Sequence, residues 1–118
     1  MKKFDYIEAA KKIFEIESRV VSELSDQLDE SYVLLCEDIL KMGGKLILMG
    51  IGKSGHVSQK IAATLSSTGT ASFFIHPTEA AHGDMGMIGK DDMVLLFSNS
   101  GETQEIISIL PALKRASK

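Results

Sequence analysis

The 118 residues are enough for one folded domain, and 44% hydrophobic with 25% charged residues is the composition of a globular protein. The net charge of −3 argues against the basic surface that a nucleic-acid partner requires. The single cysteine, Cys36, excludes an internal disulfide, and no apolar run reaches the roughly 18 residues of a membrane span. We therefore expect a cytoplasmic protein with neither a nucleic-acid nor a membrane partner.

Two helices are predicted in an N-terminal helical segment, residues 1–42. From residue 5 to about residue 28, apolar side chains recur at helical spacing. This helix can pack on its own domain, and its extra length favours additional contact with a neighbouring subunit. Asp29 or Ser31 can cap a second helix, which ends at the glycine pair after residue 42. Its predicted apolar face consists of Tyr32, Leu35, Cys36, Ile39 and Leu40.

Residues 43–118 alternate between strands and helices. Continuous apolar runs predict buried strands at residues 46–49, 71–75 and 93–97. Helices are predicted at residues 54–68 and from about residue 103, with a kink or break at Pro111. Their expected inward positions are Val57, Ile61, Leu65, Ile106, Ile107, Leu110 and Leu113. Residues 76–89 are predicted to form a loop with at most a short helical turn.

This alternation predicts an α/β fold with a parallel sheet of strand order 2-1-3. In that order, residues 93–97 form an edge strand that is apolar and therefore prone to aggregation. Lys90, Asp91 and Asp92 protect only its beginning. We expect further strands or a partner to cover this edge.

The glycine turn, which we define as residues 50–56 (GIGKSGH), follows the first strand and opens a helix. Such a turn directs unpaired backbone N–H groups and the positive end of the helix dipole at one point, which suits an anion. Gly50, Gly52 and Gly55 also satisfy the dinucleotide fingerprint, but His76 stands where that fingerprint requires an acidic residue. The turn therefore favours a phosphate without a nucleotide-specific partner.

The serine loop, residues 98–103 (SNSGET), follows the third strand. It offers the hydroxyls of Ser98, Ser100 and Thr103 and the amide of Asn99, and Gly101 lets the backbone approach a ligand closely. These groups suit a small phosphomonoester, although the loop could instead only cap the last helix through Ser100 or Thr103. Because both loops follow adjacent strands, we expect them to converge on one phosphate.

Three motifs together resemble a known family. The glycine turn, residues 76–84 (HPTEAAHGD) and the serine loop, in this order, are similar to the sugar isomerase (SIS) domain, and most closely to that of the arabinose-5-phosphate isomerases. The resemblance runs from about residue 34 to residue 115. It implies a three-layer α-β-α, flavodoxin-like domain in a cytoplasmic homo-oligomer, a tetramer in the family. It also implies interconversion of D-ribulose 5-phosphate and D-arabinose 5-phosphate, the precursor of the Kdo sugar of lipopolysaccharide.

The resemblance assigns individual residues to binding and to catalysis. It implies that a pentose phosphate is bound by Gly52, Ser54, Gly55, Ser98, Asn99, Ser100, Gly101 and Thr103. It places Lys53, His82 and Glu105 in the catalytic set. Aldose–ketose isomerisation needs a base, a route for the hydroxyl proton and a group that stabilises an oxyanion.

Those requirements fit the three residues without a metal or other cofactor. Glu105 would act as base or acid, Lys53 would stabilise the phosphate or the enediolate, and His82, oriented by Asp84, would move protons or open the sugar ring. From the sequence pattern alone, an exposed side chain without a role is the favoured interpretation for Glu105 and His82. For Lys53 the position among glycines argues against that interpretation.

Members of the family continue with two further strands and helices, which carry another glutamate and another histidine of the active site, and most add a pair of CBS modules. Residues 43–118 are therefore expected to be the first half of an SIS domain. They belong either to the isomerase or to a non-catalytic module that binds sugar phosphates. A dinucleotide-binding domain is a more distant alternative, which binding of NAD but not of pentose phosphates would favour.

Overall fold

The computed structural model describes residues 4–117, which form two compact units divided between Glu37 and Asp38. These residues contain five α-helices, two short 3₁₀ helices and three strands. In chain order the elements are α1 (Tyr6–Glu23), a 3₁₀ helix (Leu24–Gln27), α2 (Glu30–Lys41), β1 (Leu46–Gly50), α3 (Lys53–Ser67), β2 (Ser72–Phe74), α4 (Pro77–Ala81), a 3₁₀ helix (Asp84–Met87), β3 (Met93–Phe97) and α5 (Gln104–Ala116). No helix of this part of the chain is long and apolar enough to cross a membrane.

The N-terminal unit consists mainly of α1. Asp5 caps this helix, because its carboxylate accepts hydrogen bonds from the N–H groups of Ile7 and Glu8, both at 3.1 Å. The α-helix ends at Glu23, so the predicted helix of residues 5–28 finishes as a 3₁₀ helix. Asp29 precedes α2 and accepts from the hydroxyl and the N–H group of Ser31, bonds that lower the pKa of Asp29.

The three strands form a parallel sheet in the predicted order, β2-β1-β3. Every residue of the central strand β1 is buried, because its alternate side chains face opposite layers. Ile47 and Met49 pack with residues of α4 and α5, whereas Leu46 and Leu48 pack on the α3 side with Ala62. The result is a three-layer α-β-α arrangement. In this sheet β3 pairs only with β1, so the prediction of an edge strand is confirmed.

Four predicted core positions are wrong. Tyr32 and Leu40 of α2 are 52% and 85% exposed, and Val57 of α3 is 51% exposed. The buried residues of α3 are Gly55, Ser58 and Ala62, since this helix lies so close to β1 that small residues face the sheet. In α5, Ile107 is 40% exposed and Ile109 is buried in its place.

The predicted kink or break at Pro111 does not interrupt α5, which continues to Ala116. Pro111 is exposed, so water can hydrate the backbone carbonyl that lacks an N–H partner. Residues 76–89 are also more regular than the predicted loop, because α4 and a 3₁₀ helix lie within them.

Asp92, one of the three charged residues predicted to protect the start of β3, is buried, at 3% exposed. Its carboxylate accepts hydrogen bonds from the N–H groups of Lys45 at 2.7 Å and Gly89 at 2.8 Å, and it lies 3.5 Å from Lys45 Nζ. Burial alone would raise the pKa of Asp92, but these hydrogen bonds and the Lys45 charge outweigh it, so the pKa is lowered. Asp92 thereby joins the amino ends of β1 and β3.

Candidate functional site

The glycine turn needs its three glycines for two different reasons. A Cβ atom on Gly50 would lie 2.7 Å from the carbonyl group of Ser54, and one on Gly55 would lie 2.6 Å from the carbonyl oxygen of Gly50. The backbone of the first turn of α3 therefore rests directly on the end of β1. Gly52 has open space around it but a φ of +60° and a ψ of −127°, a conformation that other residues rarely adopt. Glycine at these positions fixes the path of the turn.

The first turn of α3 presents backbone donors that the protein does not use. The N-cap residue is Gly52, which has no side chain to cap the helix, and the first helical hydrogen bond runs from the His56 N–H to the Gly52 carbonyl. Within residues 4–117, the N–H groups of residues 53–55 have no hydrogen-bond acceptor. Such donors at the positive end of a helix dipole suit an anion.

Ser58, which was not predicted from the sequence, holds this turn in place through its side chain. Its fully buried hydroxyl lies 2.7 Å from the Ser54 carbonyl and 3.1 Å from the Met49 carbonyl, so it links α3 to the backbone just before the glycines. The available signal was a polar residue one helical turn after Ser54, among otherwise small side chains.

The serine loop is held together by its own hydroxyls. Ser98 Oγ accepts a hydrogen bond from the Gly101 N–H and lies 3.0 Å from Thr103 Oγ1. Ser100 Oγ accepts from the Glu102 N–H at 3.1 Å. Gly101 has a φ of +70°, which favours glycine, and Asn99 is exposed at the tip.

The interpretation of this loop as a side-chain cap is wrong. Thr103 occupies the N-cap position of α5, but its side chain makes no capping hydrogen bond, and its hydroxyl contacts Ser98 instead. The hydroxyl of Ser100 is bonded within the loop and not to the helix. The hydroxyls are thus arranged within the loop, and the first N–H groups of α5 receive no side-chain cap.

The two loops begin next to each other, because they follow paired residues of adjacent strands. Gly50, the last residue of β1, is the register partner of Phe97, the last residue of β3. Neighbouring strands are about 4.8 Å apart, so the glycine turn and the serine loop leave the same edge side by side. The carboxyl edge of a parallel sheet, where the strand order reverses, is the usual place of a ligand.

The three candidate catalytic residues are exposed side chains near this edge. Lys53 is the first residue of α3, Glu105 is the second residue of α5, and His82 directly follows α4. His82 Nδ1 lies 2.7 Å from the Thr78 carbonyl, so the ring is oriented by Thr78 and the expected role of Asp84 is wrong. No hydrogen bond or ion pair joins the three in the described part of the chain.

A cavity away from the two loops lies near the start of β3. It has a volume of about 300 Å³ and is lined by Asp38, Lys41, Met42 and Met93. Among residues 4–117 no group of three or more His, Cys, Asp or Glu side chains could hold a metal ion. The chemistry on the two loops is therefore that of hydroxyls, backbone N–H groups and single charged side chains.

Two of the curated proteins that are similar to this chain match it with nearly equal identity. The chain is 49% identical over 112 residues to the arabinose 5-phosphate isomerase KdsD of Salmonella typhi, and 52% identical over 111 residues to that of Pseudomonas aeruginosa. These matches cover 95% and 94% of this chain and 34% of each relative. The chain thus spans about a third of the length of the curated relatives it matches.

Solved structures share the fold. A protein of Escherichia coli CFT073 in complex with arabinose 5-phosphate superposes with a TM-score of 0.89 at 46% identity, over 98% of this chain and 61% of that one. A putative phosphosugar isomerase involved in capsule formation from Bacteroides fragilis gives a TM-score of 0.87 at 36% identity, over 94% and 59% of the two chains. The family model of the SIS domain matches residues 39–117. The chain therefore belongs to the SIS domain family.

Proposed function

We propose that this chain forms the phosphate-binding part of an aldose–ketose isomerase that interconverts D-ribulose 5-phosphate and D-arabinose 5-phosphate. The observation that carries the proposal is the pairing of Gly50 with Phe97, which starts two anion-suited loops side by side at one sheet edge. Relatives named arabinose 5-phosphate isomerase and a similar structure with arabinose 5-phosphate bound support the choice of sugar.

The phosphate would bind between the two loops. The N–H groups of residues 53–55 would donate to phosphate oxygens at the positive end of α3. The other proposed donors are side chains, and each is already placed on or beside one of the loops. They are the hydroxyls of Ser54, Ser98, Ser100 and Thr103 and the amide of Asn99.

The sugar would react through an enediol. In the ketose-to-aldose direction, Glu105 would take a proton from C1 and return it to C2, while a proton moves from O1 to O2. Because Nδ1 of His82 donates to the Thr78 carbonyl, the neutral ring has Nε2 free to accept and return the hydroxyl proton. Lys53 would stabilise the negative charge on the enediolate oxygen. These steps need no cofactor.

The N-terminal helical segment, residues 1–42, would pack on a second copy within a cytoplasmic homo-oligomer. None of the residues of α1 is buried, and its large exposed apolar side chains include Ile7 at 70%, Phe14 at 72% and Val21 at 67%. Burial of such side chains between subunits is favourable. Light scattering should give a mass above that of one chain, and Phe14→Glu should reduce it; an unchanged mass would contradict this part of the proposal.

The experiment that tests the binding proposal is a calorimetric titration with four compounds. Arabinose 5-phosphate should bind, inorganic phosphate should bind more weakly, and arabinose and NAD should not bind measurably. Binding of NAD without binding of arabinose 5-phosphate would replace the proposal with a dinucleotide-binding domain.

A second candidate function is a module that binds the sugar phosphate without converting it. It is favoured by the contrast between the internally bonded serine loop and the three exposed, mutually unbonded residues Lys53, His82 and Glu105. Ribulose 5-phosphate should be converted to the aldose if the isomerase proposal is right, and Glu105→Gln should slow that conversion by about 10²- to 10⁴-fold. Binding without any aldose product would favour the second candidate. In lipopolysaccharide-producing cells the isomerase product would supply Kdo synthesis.

A further inference from the structure

We propose that Ser58 is a positioning residue of the phosphate site, whose hydroxyl holds the peptide group between Ser54 and Gly55 so that the Gly55 N–H points at the bound phosphate. The inference rests on the proposed function, because it takes a phosphate at the glycine turn as given. The side chain of Ser58 is fully buried, so it acts through the backbone and does not touch the ligand.

The size of Ser58 does not explain why this residue carries a hydroxyl. The buried residues of α3 are Gly55, Ser58 and Ala62, which share the face that packs closely on the sheet. Alanine at position 58 would be just as small and would bury no polar group. Because burial of a hydroxyl is unfavourable unless the group is hydrogen-bonded, the role of Ser58 lies in its hydrogen bonds.

The hydroxyl of Ser58 joins the first turn of α3 to the end of β1. It lies 2.7 Å from the Ser54 carbonyl oxygen and 3.1 Å from the Met49 carbonyl oxygen, and its single proton is shared between these two acceptors. Ser54 belongs to the glycine turn, and Met49 directly precedes that turn. The hydroxyl therefore fixes a carbonyl of the turn relative to the strand.

That carbonyl controls the direction of a donor. The Ser54 C=O and the Gly55 N–H belong to one planar trans peptide group, so they point in opposite directions and rotate together. The Gly55 N–H has no hydrogen-bond acceptor among the residues that the structure describes. Its direction is consequently set from the carbonyl side of the peptide group, where Ser58 donates.

The end of β1 limits the same peptide group from another side. A Cβ atom on Gly50 would lie 2.7 Å from the Ser54 carbonyl carbon and oxygen and 2.9 Å from the Gly55 nitrogen. The peptide group thus rests against the strand backbone while the Ser58 hydroxyl bonds to its carbonyl. A carbonyl that accepts a hydrogen bond also polarises the N–H of its own peptide group, which makes that N–H a stronger donor to an anion.

This arrangement affects the phosphate and not the sugar. Hydrogen bonds weaken steeply as the angle at the donor departs from linearity, so a tilted Gly55 N–H would bind a phosphate oxygen less well. Inorganic phosphate and a sugar phosphate present the same kind of oxygen to this donor. Loss of the Ser58 hydroxyl should therefore weaken both ligands by the same factor.

Three variants separate this role from a general contribution to α3. Ser58→Ala removes the hydroxyl, and Ser58→Thr keeps it. Thr64→Ala is the matched control, because the Thr64 hydroxyl also donates to the carbonyl four residues earlier, that of Lys60 at 3.0 Å, but on an exposed part of the same helix. Calorimetry of the whole chain with inorganic phosphate and with arabinose 5-phosphate measures the affinity and the fraction of chains that bind.

The expected result is a matched loss of affinity. Ser58→Ala should bind both ligands about three- to tenfold more weakly, which corresponds to one poorly aligned hydrogen bond. Thr64→Ala should bind both normally, and Ser58→Thr should bind within about twofold of the wild type. A purely structural role would lower the fraction of chains that bind and leave the affinity of the folded chains unchanged. That outcome, or equal weakening in Thr64→Ala, would overturn the assignment.

NMR spectra give a readout that does not depend on the rescue variant. The amide proton signal of Gly55 should move downfield when the wild type is saturated with inorganic phosphate, and it should move less in Ser58→Ala; equal movement would overturn the proposal. If Ser58→Ala does not fold, the buried hydroxyl proton of Ser58 in the wild type decides the question. Its signal should move together with that of Gly55, and movement of Gly55 alone would overturn the proposal.

The two levels of the proposal fail in different ways. A wild type that binds neither inorganic phosphate nor arabinose 5-phosphate would remove the proposed function and, with it, this role of Ser58. A wild type that binds both, together with an unaffected Ser58→Ala variant, would remove only the role of Ser58.

Discussion

At the amino end of the sheet a buried carboxylate is paired with two backbone N–H groups and a lysine, whereas at the carboxyl end backbone donors are left without partners in the described residues. Asp92 accepts from the N–H groups of Lys45 and Gly89 and lies beside the Lys45 ammonium group. In the glycine turn, by contrast, the N–H groups of residues 53–55 have no acceptor among the described residues. Both ends belong to the same three strands.

The difference indicates that the two ends of the sheet serve different purposes: the amino end stabilises the fold, and the carboxyl end leaves donors available to a ligand. Satisfied buried hydrogen bonds stabilise the fold, and removing one partner leaves a costly unsatisfied group. Unsatisfied donors at an exposed edge contribute little to stability but stay available to a ligand. Substitutions at the amino end should therefore change unfolding, and substitutions at the carboxyl end should change binding.

The largest expected effect on stability is at Asp92. Asp92→Ala removes the acceptor of two backbone N–H groups and should lower the free energy of unfolding by about 3 kcal/mol, measured by urea denaturation. Arabinose 5-phosphate should bind the folded variant within about twofold of the wild type. Asp91→Asn, at the exposed neighbouring residue, is the control and should have a smaller effect. Loss of binding in a folded Asp92→Ala variant would break the division between the two ends.

A substitution at Gly52 tests whether the backbone conformation of the turn, rather than the room for a side chain, requires glycine. Gly52→Ala would force a side chain into a conformation at φ +60° that costs about 1–3 kcal/mol, although nothing lies within 4 Å of the new Cβ. We expect this loss in the free energy of unfolding and at least tenfold weaker binding of arabinose 5-phosphate. Gly86→Ala, also in open space but without a positive φ, should leave both unchanged. Similar behaviour of the two variants would contradict the prediction.

Acid should weaken the amino end selectively. The lowered pKa of Asp92 means that its stabilising contribution is complete above the unfolded pKa, near 3.9, and is lost as the pH falls through the folded value. The difference in free energy of unfolding between the wild type and Asp92→Asn should therefore be constant from pH 5 to pH 7 and should shrink below pH 4. A difference that stays constant down to pH 2.5 would show that the charge of Asp92 contributes nothing.

A substitution in the serine loop should have the smallest effect on the free energy of unfolding but a clear effect on ligand binding. Ser98→Ala removes the acceptor of the Gly101 N–H, but water can replace it, so the free energy of unfolding should fall by less than about 1 kcal/mol. Arabinose 5-phosphate should bind about tenfold more weakly, because the loop loses both a hydroxyl and its shape. Ser18→Ala on α1, whose hydroxyl bonds only to its own helix, is the matched control and should bind normally.

Much of the sheet could be predicted from sequence because its signals are local. Continuous apolar runs gave the three strands, with the bounds of β3 as observed, and their alternation with helices gave the parallel order. The inward faces of α3 and α5 were harder. Their large apolar residues suggested Val57 and Ile107, but close packing at Gly55 and Ala62 brings small residues of α3 to the sheet. Helical spacing shows which residues form an apolar face, but it does not show how closely that face packs against the sheet.

In the candidate site, too, local features could be predicted from the sequence and contacts between distant residues could not. The glycine spacing located the turn and its anion-suited donors, since these follow from the backbone. The hydrogen bond from Ser58 to the Met49 carbonyl joins residues 9 positions apart, and the bond between Lys45 and Asp92 joins residues 47 positions apart. Neither bond could be predicted from a local sequence pattern. Which residue orients His82 was also beyond the sequence, because the Thr78 carbonyl competes with any nearby carboxylate.

The contact between Gly50 and Gly55 has a consequence for how such a protein can change. Backbone meets backbone there, so no side chain exists that evolution could shorten or enlarge to shift α3 along β1. The position of the proposed phosphate anchor therefore depends on a backbone contact that substitution cannot adjust. In the proposed site, new preferences for one sugar over another would arise at surrounding positions that tolerate replacement, while this backbone contact stays unchanged.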